Sequence, residues 1–140
     1  LKGAALFVLE DLLVKVPQGL PGEGQWVVSP ALSAGNAYTI DENQQNIKLG
    51  YGSAIDQQLV RQLFGNVIKA IDALSTKTTR FDPTFRARIS DVMQNLSGVA
   101  VASDGTLQDW LVPMTLSSTE VDYIPALYGL YPGNTLHKSK

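Results

Sequence analysis

Asp109 and Trp110 stand side by side in the stretch Asp104–Leu111 (DGTLQDWL), and together they have the makings of a carbohydrate contact. An indole face stacks on a sugar ring while a neighbouring carboxylate accepts hydrogen bonds from the ring hydroxyls. A buried Trp beside a surface acid reads equally well. Asp56 is the second candidate, in the first turn of an apolar-periodic run. There a carboxylate either closes a capping box with Ser53 and meets the helix dipole, worth about 0.3–1 kcal/mol, or faces a ligand at the helix mouth with Gln57 or Gln58. The third is the stretch Trp26–Tyr38 (WVVSPALSAGNAY), a short β-prone segment that empties into a small-residue loop. Such a loop places side chains at the rim of a pocket, or serves as a plain surface crossover.

Other chemistries are poorly served. His137 is the only histidine and falls in the last four residues, a frayed position for an imidazole that must be held in a nucleophile system. With one His, no Cys and no acid set at ligand spacing, neither a metal nor any other cofactor is expected. Gly50-Tyr51-Gly52 lacks the strand and spacing of a phosphate loop. A net charge of −2 and a pI near 5.2 give no basic footprint for nucleic acid. No apolar run approaches the roughly 18 residues that suggest a membrane span. Asn95-Leu96-Ser97 fits the N-glycosylation tripeptide, a weak pointer to secretion.

The elements that must position these residues are mostly helical. Ala5, Leu9, Leu12 and Val16 recur at helical spacing, which predicts a helix over 1–16 stopped by Pro17. Gly19, Pro21, Gly22 and Gly24 follow as a turn, and Asp41–Asn46 as a solvated loop or hairpin tip. Ser53 caps a second helix whose apolar face comprises Val60, Phe64, Val67, Ile71 and Leu74, flanked by Ile55, Leu59, Leu63 and Ile68. A third opens with Asp82 and Pro83, buries Phe85, Ile89, Val92 or Met93, and Leu96, and is expected to stop at Gly98. Asp104-Gly105 marks a turn, and Ala126–Asn134 is aromatic and Gly/Pro-punctuated. At 140 residues and 44% hydrophobic composition, the expected architecture is one mainly α unit of helical hairpins with short β decorations.

Five segments, in order, resemble glycoside hydrolase family 95, the inverting α-L-fucosidases with some related α-galactosidases. Leu1–Val14 (LKGAALFVLEDLLV) is similar to the helix before that family's acid loop. Ser29–Tyr38 (SPALSAGNAY) stands where the family has a pattern like SPSTSPENSY. Gly52–Phe64 (GSAIDQQLVRQLF) resembles G-x-x-M-D-x-Q-I-I-R-E-L-F, DGTLQDWL resembles DGQLQEWL, and Leu127–Asn134 is the family's LYGLYPGN. The resemblance implies part of a toroid of six α/α hairpins, a domain far longer than 140 residues. Leu1 already lies inside an apolar-periodic run, so residues 1–140 are expected to be a partial domain. It also implies a fucosylated oligosaccharide as partner, an extracellular setting, and sugar contacts from Asn36, Asp56, Gln58, Asp109 and Trp110.

The departures from the pattern set the expected activity. In the family a Glu protonates the glycosidic oxygen while an Asn held by an Asp activates the attacking water. Aligning Asn36 with the Asn of SPEN puts Gly35 at the acid position and Ala34 at the preceding Pro. The Asn pair and the Asp of the IDGNFG-like motif have no counterpart in these residues. Asp122, Tyr123, Ile124, Pro125 and Ala126 occupy the family's His-rich run, and Asp109 shortens its Glu. A general acid contributes about 10²–10⁴-fold, so the chain is expected to lack hydrolytic activity, with no catalytic residue of its own. A non-catalytic carbohydrate-binding module and a free-standing helical interaction module are the alternatives. Helix faces without neighbours are expected to permit self-association.

Overall fold

The computed structural model describes residues 1–32, 36–43, 46–75, 83–117 and 124–134. Helix α1 covers Lys2–Phe7 and runs on as π turns over Val8–Leu12. It does not reach Val16. At Leu13 the backbone turns extended (φ −87°, ψ 130°), and Leu13–Lys15 forms strand β1. The sequence supplies the reason: Val14 and Val16 are β-branched, and the residue before Pro17 is disfavoured in the α region. Strand β2, Trp26–Val28, pairs antiparallel with β1 in the register Leu13↔Val28, Val14↔Val27 and Lys15↔Trp26. Gly19, Gly22 and Gly24 take positive φ in the connecting turn, which is where that run of glycines is needed.

Two smaller pairs follow. Strands β3 (Ala31–Leu32) and β5 (Leu49–Gly50) are antiparallel, as are β4 (Tyr38–Thr39) and β6 (Thr115–Leu116). Tyr38 and Ile47 exchange backbone hydrogen bonds, an antiparallel pairing that brackets the polar stretch in which residues 41–43 and 46 are described.

Helix α2 spans Ala54–Ser75 and carries the core. The Ser53 hydroxyl accepts the Asp56 N–H (3.3 Å), the N-cap bond that the spacing suggests, and donates to the Asp56 carboxylate (2.5 Å), which thus meets the Ser53 side chain and not its main chain. Val60, Phe64, Val67 and Ile71 are buried as the periodicity requires, whereas Leu59 and Leu74 are exposed. Helix α3, Pro83–Gln94, packs Phe85, Ile89 and Val92 onto that stripe, joined by Ala5, Leu13, Val28 and Leu96. It ends four residues before Gly98. The Trp26 N–H donates to Asn95 O (2.8 Å) and the Ser97 N–H to Trp26 O (3.0 Å), so the chain leaves the helix to lie against β2. Arg61 fastens the same stretch by donating to Leu96 O at 2.8 Å.

Val99–Ala102 does not form a strand; Val101 and Leu107 make a single bridge around the Asp104-Gly105 turn. Pro125–Gly129 forms a 3-10 helix against α2. The described residues are therefore mainly α, with three short antiparallel pairs gathered at the N-terminal end of α2.

Candidate functional site

The first turn of α2 lies against the segment that carries the tryptophan. The Ala54 N–H donates to Asp109 O (2.8 Å), and Ser53 bridges Trp110 in antiparallel fashion. That frame fixes Asp109, half-buried, among three segments distant in sequence. Tyr38 donates its phenolic hydrogen to Asp109 Oδ2 at 2.7 Å, and the Ala126 N–H donates to Asp109 Oδ1 at 3.1 Å. Asn36, 4% exposed, donates through Nδ2 to the Tyr38 hydroxyl at 3.4 Å. Gln58 donates through Nε2 to both Ala54 O (2.9 Å) and Ala126 O (3.2 Å). Four of the five residues expected to contact sugar thus fall in one polar cluster: Asn36, Gln58, Asp109 and Trp110.

Trp110 is 3% exposed. Tyr38 meets it edge-on, with ring centroids 5.9 Å apart at 84°, and Ala31 and Met114 complete the packing. Gly50 lies close beneath the indole: a Cβ there would come within 2.9 Å of Cζ3. The cleft between Tyr38, Ser53, Asp109, Trp110 and Pro125 has about 10 Å³ of free space. That is roughly the room of one water molecule, far below that of a monosaccharide.

Asp56 stands apart. Its carboxylate accepts from Ser53 and borders a different cleft of about 200 Å³, otherwise apolar, with Leu12, Val28 and Leu63 on its walls. Its carboxylate is held by the Ser53 hydroxyl at the start of α2 and is not brought into the cluster around Asp109.

Gly35 and Ala34, at the expected acid position and before it, lie outside the described residues, as do His137, Asp82, Asp122 and Tyr123. Of Glu23, Asp41 and Glu42, the described acids near that loop in sequence, Glu23 and Asp41 accept hydrogen bonds from their own turns, from the Gly19 and Asn43 N–H respectively. Among the described residues no three acids or histidines converge as metal ligands. No helix among the described residues is long and apolar enough to cross a membrane.

Sequence reasoning passed over Tyr38, Gly50 and the main chain of Ala126. Tyr38 carried a usable signal, an aromatic closing a small-residue loop. Ala126 carried none, because its contribution is an N–H and a carbonyl that any residue would supply.

The whole chain, residues 1–140, matches the glycosyl hydrolase family 95 catalytic domain. It is 28% identical over 133 residues to the probable alpha-fucosidase A of Aspergillus niger, an alignment covering 95% of this chain and 15% of that protein. It is 21% identical over 140 residues to alpha-L-fucosidase 2 of Arabidopsis thaliana, covering 100% of this chain and again 15% of the relative. The chain spans about 15% of the length of these curated relatives. With a family match running its full length, the chain belongs to glycosyl hydrolase family 95.

Proposed function

We propose that residues 1–140 form part of a single, partial catalytic domain of the six-hairpin α/α toroid type, within an α-L-fucosidase-like glycoside hydrolase that acts on fucosylated oligosaccharides outside the cell. The observation that carries this reading is the family match over the full chain. The names of both relatives support the fucoside substrate. The exposed Asn95, first residue of the glycosylation tripeptide, supports the extracellular setting.

By itself the chain is without catalysis, because Gly35 stands where the family's general acid would be and has no proton to transfer. Sugar contacts fall to Asn36, Gln58, Asp109 and Trp110, with Asp56 at the neighbouring helix start. Trp110 is covered as the chain stands, so stacking on a sugar ring requires the Tyr38 edge to give way. The second reading, a non-catalytic carbohydrate-binding module, draws on the gathering of these polar groups around Asp109. Exposed apolar side chains at Phe7, Leu59 and Leu74 support self-association through helix faces.

Calorimetric titration with L-fucose and a fucosylated trisaccharide tests the reading, alongside a product assay on the wild type and on Gly35→Glu. Saturable heat that weakens in Trp110→Ala, with no sugar released by either protein, is the expected result. Release of fucose by the wild type would end the claim of inactivity. No heat at millimolar sugar, from a chain shown by circular dichroism to be folded, would remove the sugar site.

A further inference from the structure

Gln57 is 1% exposed, and neither atom of its side-chain amide has a hydrogen-bond partner among the described residues. It sits one turn before Val60 and two before Phe64, on the buried face of α2. A Met or Leu would fill comparable space there without stranding two N–H donors and a carbonyl in the interior. Native proteins pair nearly all such groups, with other protein groups or with ordered water. The stranded atoms extend around it: Gln58 Oε1 is likewise buried and unpartnered, as is Trp110 Nε1. All three side chains hang from one backbone frame, in which Gln57 N–H donates to Ser53 O, Ala54 N–H to Asp109 O, and Ser53 bridges Trp110.

The chemistry of these atoms narrows what they hold. The set has both donors and acceptors and carries no charge. The indole N–H can only donate, so it is no metal ligand, and the two amide oxygens would repel an anion. A small neutral oxygen that donates and accepts together fits, and the cleft that Trp110 lines with Tyr38, Ser53 and Asp109 has about 10 Å³, close to the space of one such molecule. Gln57 lies outside that lining, so a water on its amide is a separate one.

We propose that the interior at the first turn of α2 is a hydration site, in which the Gln57 amide and the Trp110 indole N–H are each paired with long-lived buried water. The water belongs to the free, folded chain and needs no sugar, so the site stands whether or not a saccharide binds. It also explains why an amide-rich first turn, Gln57-Gln58, is buried instead of facing solvent.

Two measurements test it. In the uniformly ¹⁵N-labelled wild type, magnetisation transfer from water to the Gln57 side-chain NH₂ and the Trp110 indole N–H is expected, with the sign of a long-lived complex; its absence at either group overturns the proposal. Thermal unfolding of Gln57→Met gives the second. If the amide holds water, the variant loses those hydrogen bonds and its Tm falls by about 5 °C. If the amide is stranded without a partner, removing it raises Tm, and the proposal fails.

Discussion

Tyr38 and Asp109, 71 residues apart, are joined by a 2.7 Å hydrogen bond from the phenol to carboxylate Oδ2. Through it the loop that carries Asn36, the tryptophan segment and the 3-10 helix meet at one carboxylate. Tyr38→Phe removes the donor and keeps the ring, so the edge contact with Trp110 survives. A hydrogen bond to a charged, half-buried acceptor is worth about 1.5–3 kcal/mol, and urea unfolding is expected to read a loss in that range. In a double-mutant cycle with Asp109→Asn the two losses should fall well short of adding; full additivity would mean the pair is not coupled.

Two glycines give opposite signs for the same substitution. A Cβ at Gly50 would come within 2.9 Å of the Trp110 ring, which is 3% exposed and held edge-on by Tyr38. Gly50→Ala should therefore cost about 1–3 kcal/mol as overpacking, with a shift in tryptophan emission. Gly65 lies within α2 with nothing inside 4 Å of its absent Cβ, so Gly65→Ala should stabilise by about 0.5–1 kcal/mol. Equal effects at the two positions would show that the indole does not rest on Gly50.

The apolar stripe of α2 can be tested at its two ends. Phe64 is fully buried at 0% exposure, and Phe64→Ala should cost about 3–5 kcal/mol. Leu74 continues the same helical spacing but is 45% exposed, and Leu74→Ala should stay within about 0.5 kcal/mol of wild type. A large loss at Leu74 in dilute protein would point to burial in an assembly, which sedimentation velocity would then detect.

Asp72 carries a pH dependence of known sign. The Arg86 guanidinium hydrogen-bonds both of its oxygens (2.7 and 2.9 Å) and holds the carboxyl below its ordinary value. A depressed folded-state value means that the pair's contribution is present above the unfolded carboxyl's titration near pH ~3.9, and is lost as pH falls through the folded one. The pair lies at the solvent-exposed surface, so its contribution is small and weakened by salt. A carbon-detected titration should place the Asp72 midpoint below that of a random-coil Asp, and Arg86→Gln should return it.

The helices were legible in the sequence because burial on one face imposes a period. Val60, Phe64, Val67 and Ile71 announced α2, and Ser53 with Asp56 announced its start. The period misled at Val16, which is buried as expected but on the flank of a strand. It misled again near Gly98, where the main chain of Trp26 draws Asn95–Ser97 out of the helix. Both departures come from pairing with β2, a partner that no local window contains. The candidate site divides in the same way. Asp109 and Trp110 stood out by residue type, whereas what organises them is the Tyr38 hydroxyl and the backbone of Ala126, visible only once distant segments meet.

The spacing between those segments also sets an order of events. Tyr38 and Thr39 bond to partners 71 and 78 residues away, while the hydrogen bonds of α2 close within a single turn. Long loops must give up chain entropy before any contact compensates them. The helical stripe is therefore free to condense early, and the cluster around Asp109 is fastened last. By the same reasoning it is the edge that opens first: amide hydrogens at Tyr38 and Ala126 should exchange with solvent well ahead of those in the middle of α2.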